Sequence, residues 1–176
     1  MSPRGRPPDR TIYLVRHAIA ATRGPDWPDD DQRPVTHRGA ARMRQVVKGL
    51  DALGVKVDVV ATSPLARADQ TARLLASGLG VAGDPLVVPE LAPGMDAAVT
   101  AAALARIDAA TMAVVGHEPD LGQLAAWLIG AASPLEFKKG GVCRLDAREL
   151  RRPRSAALIW LATPKMLRAL ARAADQ

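Results

Sequence analysis

The sequence predicts an α/β fold: a three-layer sandwich with a mostly parallel sheet at its centre and helices on both faces. Three observations lead there. Short apolar, β-rich runs recur at Thr11 to Val15, Val57 to Ala61 and Met112 to Val115. Between them lie stretches whose apolar residues return at the spacing of one helix face. No internal repeat and no linker divides the 176 residues, a length that suits one core. Strands alternating with helices around one core give a sheet covered on both sides.

The elements follow in order. The first strand, TIYLV, ends in Arg16-His17, and a proline-bearing polar loop with the acidic run Asp29 to Asp31 extends from Ala18 to Pro34. Thr36 is placed to cap a helix running to Leu53, whose buried stripe is Met43, Val46, Val47, Leu50 and Leu53, with Gly54 as its stop. After the strand at Val57 to Ala61, Ser63-Pro64 offers a cap and a first-turn proline for a helix to Leu79. Leu65, Ala68, Ala72, Leu75 and Leu79 form its buried face. A short strand at Leu86 to Val88, a helix over Asp96 to Ile107, and a strand at Met112 to Val115 ending in Gly116-His117 come next. A helix from Pro119 to Leu128 stops at Gly130. Val142 to Leu145 and Ala156 to Leu161 read as two further strands, antiparallel at the sheet edge, before a closing helix over Lys165 to Ala173.

Composition narrows the function classes. With 48% apolar residues the chain can fill a core, although aromatics are scarce at 3%, so alanine, valine and leucine supply the interior. The one cysteine, Cys143, excludes an internal disulfide, fits a reducing compartment and reads as a buried bystander. No apolar run approaches the roughly 18 residues of a membrane span. Residues 1–10, rich in proline and arginine, read as a disordered basic tail ahead of a domain over 11–176. The expectation is a cytoplasmic monomer with no membrane partner. Net charge +6 favours an anionic partner. No aromatics interleave with the basic cluster Lys138 to Arg154 as single-stranded nucleic acid would require, so a phosphorylated substrate is expected and nucleic acid is not.

Three polar groups stand just beyond the carboxyl ends of buried strands: Arg16-His17, then Ser63 with Arg67, then His117. Loops at that position of an open α/β sheet converge on one edge, where ligands bind. Alone, each is an ordinary turn or capped helix, and Arg67 could sit on a solvated face. Together they suit a phosphoryl group. A neutral imidazole can attack phosphorus and hold the group covalently. Guanidinium forks stabilise the negative equatorial oxygens with paired hydrogen bonds, and no metal or cofactor is needed.

The segments LVRHAIA (Leu14 to Ala20), RPVTHRG (Arg33 to Gly39), TSPLARADQTA (Thr62 to Ala72) and VVGHEPDL (Val114 to Leu121) resemble the histidine phosphatase superfamily, the family of phosphoglycerate mutases and acid phosphatases. RPVTHRG and VPELAPG (Val88 to Gly94) look most like its compact SixA-type phosphohistidine phosphatase branch, and the likeness spans Thr11 to Pro164. The resemblance implies a phosphoglycerate mutase-like fold, with His17 as the nucleophile. Arg16, Arg67 and His117 would complete the phosphate pocket, with Arg33 as a further phosphate contact. His37 reads as solvated and Ser63 as support for its turn.

Larger members of that superfamily carry an acidic proton donor in an insertion that this sequence lacks. Glu90 and Asp96 are the nearest carboxylates there, and neither is assigned. A missing donor weakens ester hydrolysis, whose alkoxide needs a proton, and favours an imidazole leaving group. The resulting expectation is a phosphohistidine phosphatase acting on a phosphorylated protein, such as a phosphotransfer domain. The alternatives are a phosphatase of small phosphorylated metabolites with the same residues, and a non-catalytic phosphate-binding module.

Overall fold

In the computed structural model, which describes residues 9–174, six strands form one sheet. They are β1 (Arg10–Arg16), β2 (Val59–Thr62), β3 (Leu86–Val87), β4 (Thr111–Gly116), β5 (Val142–Ala147) and β6 (Ala156–Ala162). Five helices accompany them: α1 (His37–Ala52), α2 (Ala66–Leu79), α3 (Ala97–Ala105), α4 (Asp120–Ile129) and α5 (Pro164–Ala174). The strand order is β3-β2-β4-β1-β5-β6. The first four are parallel, and β5 runs antiparallel to both β1 and β6, bearing out the mostly parallel sheet with an antiparallel edge.

Strand residues alternate between the two faces of a sheet, and β1 shows the result. Ile12 and Leu14 enter one apolar cluster with Leu104 of α3 and Leu121, Leu124 and Leu128 of α4. Tyr13 and Val15 enter the other, with Met43 and Leu50 of α1, Leu75 of α2 and Leu167 of α5. Both sides of the sheet are therefore covered, as expected of three layers. Burial of so many leucine, valine and methionine side chains, each worth about 1.5–3 kcal/mol, outweighs what the scarce aromatics could add.

Local signals explain most element ends. The Thr36 hydroxyl accepts the Gly39 N–H at 2.9 Å and so starts α1 as the sequence predicts. The Asp96 carboxylate accepts the Ala98 and Val99 N–H groups and starts α3. Four corrections are needed. Arg10, expected in a disordered tail over 1–10, belongs to β1, and residues 1–8 lie outside those described. The second strand begins at Val59, two residues late. Leu53 is the C-cap of α1 and 47% exposed, because one step past the last turn takes it off the buried face. Helix α2 begins at Ala66 with Leu65 as its N-cap and no side-chain cap, so the Ser63-Pro64 signal does not start it. The Ser63 hydroxyl instead accepts the Leu65 N–H at 3.3 Å and lies 2.8 Å from His117 Nε2.

Candidate active site

The site is assembled by strand order. Strands β1 and β4 are neighbours in parallel register, Arg16 opposite Gly116, so the next residue on each is a histidine at the same level. The His17 and His117 rings stand with centroids 5.1 Å apart, tilted by 53°. On the other side of β4, β2 ends with Thr62 opposite Val115, which delivers Ser63 and then α2 with Arg67 to the same edge. Convergence at the carboxyl edge of the sheet is what the sequence predicts. Arg16, His17, Arg33, Arg67 and His117 all line one cleft of about 550 Å³.

One hydrogen bond fixes the ring of His17, and two more hold its partner. Its Nδ1 lies 2.7 Å from the carbonyl oxygen of Ala18. A carbonyl only accepts, so Nδ1 carries the proton and Nε2 keeps a bare lone pair. Ala18 is held in turn, its N–H donating to Thr71 Oγ1 at 3.0 Å while the same hydroxyl donates to the Arg67 carbonyl at 2.7 Å. Burial, the largest cause, together with the charges of Arg67, Arg16 and Lys139, lowers the His17 pKa to about 4, against a smaller opposing effect of the Ala18 carbonyl. Burial and then the His17, Arg67 and Arg16 charges lower that of His117 to about 3. Both rings are neutral at pH 7. His117 Nε2 faces Ser63, and its Nδ1 is buried with no protein partner.

The cations come from four directions. Arg16 donates from Nη1 to the Phe137 carbonyl at 2.6 Å, leaving its buried Nε unpartnered. Arg67, 5% exposed, donates from Nη1 to the Asp30 carbonyl at 2.8 Å and pairs through Nη2 with the Asp30 carboxylate at 3.2 Å; its Nε too is unpartnered. Arg33 donates from Nε to Asp30 at 2.8 Å and from Nη1 to the Ala21 carbonyl at 2.8 Å. Lys139 arrives on a turn closed by glycines: Gly140 has φ +79 and donates its N–H to the Arg16 carbonyl at 3.0 Å. A Cβ at Gly141 would lie 2.8 Å from the Lys138 carbonyl oxygen, so a side chain there would push that turn away from β1.

Asp30 sits at the mouth of the cleft and ties Arg23, Arg33 and Arg67 together. Hydrogen bonds from Arg23 and Arg33 hold its carboxyl far below the ordinary range, so it is a fixed anion and cannot give up a proton. Burial and the neighbouring Arg33 pull the Arg67 guanidinium below its usual value, with Asp30 opposing them. Positive groups crowded in this way are eased by an anion, which Asp30 supplies from one side and a phosphoryl group would supply from the other.

Glu90 and Asp96 are the carboxylates of the short connection, and the sequence leaves both unassigned as proton donors. Neither lines the cleft: Glu90 pairs with Arg106 at 2.6 Å, and Asp96 is occupied in capping α3. The cleft carboxylates are Asp30, Asp31 and Glu118. Burial raises the Glu118 pKa, opposed by Arg16 and by the backbone N–H groups of Phe137 and Gly122. Sequence reasoning gave Glu118 no role, left the Asp29 to Asp31 run without one, and treated Lys139 as one of a basic cluster. Only the third carried a usable signal, since two lysines precede a Gly-Gly turn. His37 is exposed at the first position of α1, and Cys143 is buried in β5 with its thiol pushed up to about 12 by desolvation.

Among the described residues, no three His, Cys, Asp or Glu side chains lie together as a group that could hold a metal ion, and no helix is long and apolar enough to cross a membrane. Comparison with known proteins agrees with the geometry. Residues 12–92 match the profile of the histidine phosphatase superfamily (branch 1). An uncharacterised protein of Picosynechococcus sp. is 37% identical over 163 residues, covering 89% of this chain and 98% of that protein. The phosphohistidine phosphatase SixA of Escherichia coli K12 is 29% identical over 141 residues, 78% of this chain and 86% of that one. A structure of the protein histidine phosphatase SixA complexed with tungstate superposes with a TM-score of 0.78 at 26% identity, over 88% of this chain and 97% of that one.

Proposed function

Because this chain belongs to the histidine phosphatase superfamily, in its SixA branch, we propose that it hydrolyses phosphohistidine on a protein, with His17 as the phosphoryl acceptor. The observation that carries the reading is the fixed tautomer of His17: a proton locked on Nδ1 by Ala18 leaves Nε2 unprotonated. In the first step the Nε2 lone pair forms a bond to phosphorus while the bond from phosphorus to the substrate nitrogen breaks. The departing electron pair stays on the substrate imidazole, which takes up a proton. In the second step water attacks phosphorus, the bond to His17 Nε2 breaks, and inorganic phosphate leaves with the imidazole restored.

Arg16 and Arg67 line the cleft and would donate to the transferring oxygens, their buried Nε–H groups having no partner among the described residues, and Arg33 reinforces the cluster through Asp30. Ser63, which already accepts the Leu65 N–H, can donate its hydroxyl proton to His117 Nε2, and His117 then offers Nδ1–H to a phosphoryl oxygen. Tungstate, the tetrahedral oxyanion bound by the solved relative, has the shape this cluster of donors would accept.

An N–P substrate suits the carboxylates at hand. Asp30 is locked as an anion, which leaves Glu118, whose pKa burial raises, as the available acid, and an imidazole leaving group leans less on such an acid than an alkoxide does. A phosphorylated protein, such as a phosphotransfer domain, is the substrate class expected, turned over without an added cofactor. The test is to incubate the protein with a histidine-phosphorylated phosphotransfer domain and, separately, with a panel of phosphomonoesters. A phosphoryl adduct on His17 should be trapped by rapid quench under alkaline conditions, His17→Ala should abolish turnover, and vanadate should compete with substrate. Preference for the esters by a wide margin would reject the phosphohistidine assignment, and an active His17→Ala variant would reject the nucleophile.

A further inference from the structure

Beside the catalytic cleft lies a second cavity of about 300 Å³, at the lower end of the range for ligand sites of roughly 300–1,000 Å³. The two are contiguous, because Arg16 and Lys139 line both. Its floor is apolar, built from Ile19, Met43, Val46 and Pro164. Around the floor stand Arg42, Lys138 and Arg168 in addition to the two shared cations, and among the described residues no carboxylate lines the cavity. Among the described residues Lys138 and Arg42 have no acidic partner, and Arg168 donates to a backbone carbonyl, that of Pro164, at 3.2 Å. The cavity is built by the close approach of α1 to the loop after β1: a Cβ at Gly39 would fall within 2.1 Å of the Ile19 carbonyl oxygen.

Five positive groups around an apolar floor do not make a site for a bare inorganic ion, which needs donors converging on one point. They fit a ligand with an apolar body and flanking negative charge. Since the neighbouring cleft is read as taking a phosphoryl group, one chain segment could place its phosphorylated residue in the cleft and an apolar side chain here. We infer that this cavity is a substrate-docking subsite, which selects phosphoproteins carrying an apolar side chain flanked by Asp or Glu near the phosphorylated residue. The inference rests on the proposed phosphatase reading for the identity of the neighbouring group, and on charge complementarity for the occupant. Rim charges of this kind act mainly on encounter rate and partner choice, so their effect is sensitive to salt.

The experiment uses two synthetic phosphohistidine peptides of equal length, one with Glu-Leu-Glu beside the phosphorylated residue and one with Gln-Ala-Gln. Binding is read by fluorescence anisotropy and turnover by phosphate release, with phosphoimidazole as a substrate too small to reach the second cavity. The wild-type protein should bind the acidic peptide at least 10-fold more tightly at low salt, a preference that shrinks as salt is raised. The double variant Arg42→Glu, Arg168→Glu should lose that preference while hydrolysing phosphoimidazole at the wild-type rate. Equal binding of the two peptides by the wild type would overturn the subsite, as would a preference surviving charge reversal. A parallel loss of phosphoimidazole turnover would also overturn it, by showing a general structural role; Arg42→Gln, which keeps the bulk of the side chain, guards against a folding artefact. Failure of the wild type to hydrolyse phosphoimidazole or either peptide would instead count against the phosphatase reading, leaving the binding comparison to judge the subsite by itself.

Discussion

Thr71 does not line the cleft, yet its replacement by valine is expected to damage both stability and catalysis. The side chain is fully buried, and its hydroxyl accepts the Ala18 N–H and donates to the Arg67 carbonyl. Valine keeps the shape but cannot accept, so the Ala18 N–H is left buried without a partner. An orphaned buried donor costs about 1–3 kcal/mol. For a chain of this length about 2–4 °C is lost per kcal/mol, so a 2 kcal/mol loss lowers Tm by about 4–8 °C. The catalytic effect follows from Ala18. Its carbonyl keeps the proton on His17 Nδ1, and a loosened Ala18 lets that contact lengthen and the other tautomer compete. The expected result is a fall in kcat of about 10-fold or more with little change in KM, because the step that suffers is attack on phosphorus and not capture of the phosphoryl group. Thr71→Ser restores the hydroxyl and should recover most of kcat while keeping some loss of stability from the missing methyl group. Thermal and urea unfolding with steady-state kinetics on the three proteins would decide it. If Thr71→Val matched the wild type in Tm and kcat, the chain from Thr71 through Ala18 to the nucleophile would be refuted.

Other outcomes follow from the same geometry. Arg67→Ala removes a strong oxyanion donor and should cost about 3–4 kcal/mol of transition-state stabilisation, some two to three orders of magnitude in kcat, measured under saturating substrate. With His17 neutral down to about 4, kcat/KM should stay flat from pH 8 to near 5 and fall with an apparent pKa near 4; an acid limb at the ordinary histidine value of 6.5 would contradict its burial. Stability should shift in the same direction. The unfolded chain takes up a proton on this histidine below about pH 6.5 whereas the folded chain waits until about 4, so stability falls as pH drops through that window. The His17 share of the loss is of order 3 kcal/mol, and His17→Phe should remove that share in urea titrations at several pH values, leaving the dependence that His117, lowered to about 3, contributes over the same range. Leu75→Ala, at a fully buried position of α2, should cost about 2–5 kcal/mol without altering the pH profile of the residual activity.

The fold was legible wherever a local pattern coincided with a long-range one. Apolar runs at Thr11 to Val15 and Met112 to Val115 mark strands buried on both faces, and these are the central pair. Their carboxyl ends therefore bring Arg16, His17 and His117 together, as the sequence implied. Local signals failed where a side chain had a distant partner. Ser63 looked like the cap of α2, but Ser63 faces His117 from β4, and that contact, unlike a cap, leaves no trace in neighbouring residues. Asp30 was hidden for the same reason: Arg67 is 37 positions away, and only the packed loop makes the two an ion pair. Leu53 failed in the opposite sense, matching the helical period but lying one residue beyond the helix. Lys139 joined the site through a tight glycine turn, whereas composition marked it only as surface charge.

The adjacency of β1 and β4 also governs how the protein can lose its activity. Both histidines hang from the innermost ladder, whose amides should exchange with solvent only on global unfolding, so no partial opening can part them. The Asp30 segment is a surface loop held mainly by arginine pairs, and it belongs to the easily opened end of the same stability scale. Mild denaturant or raised ionic strength should therefore weaken anion capture first, while the paired imidazoles survive until the whole molecule melts.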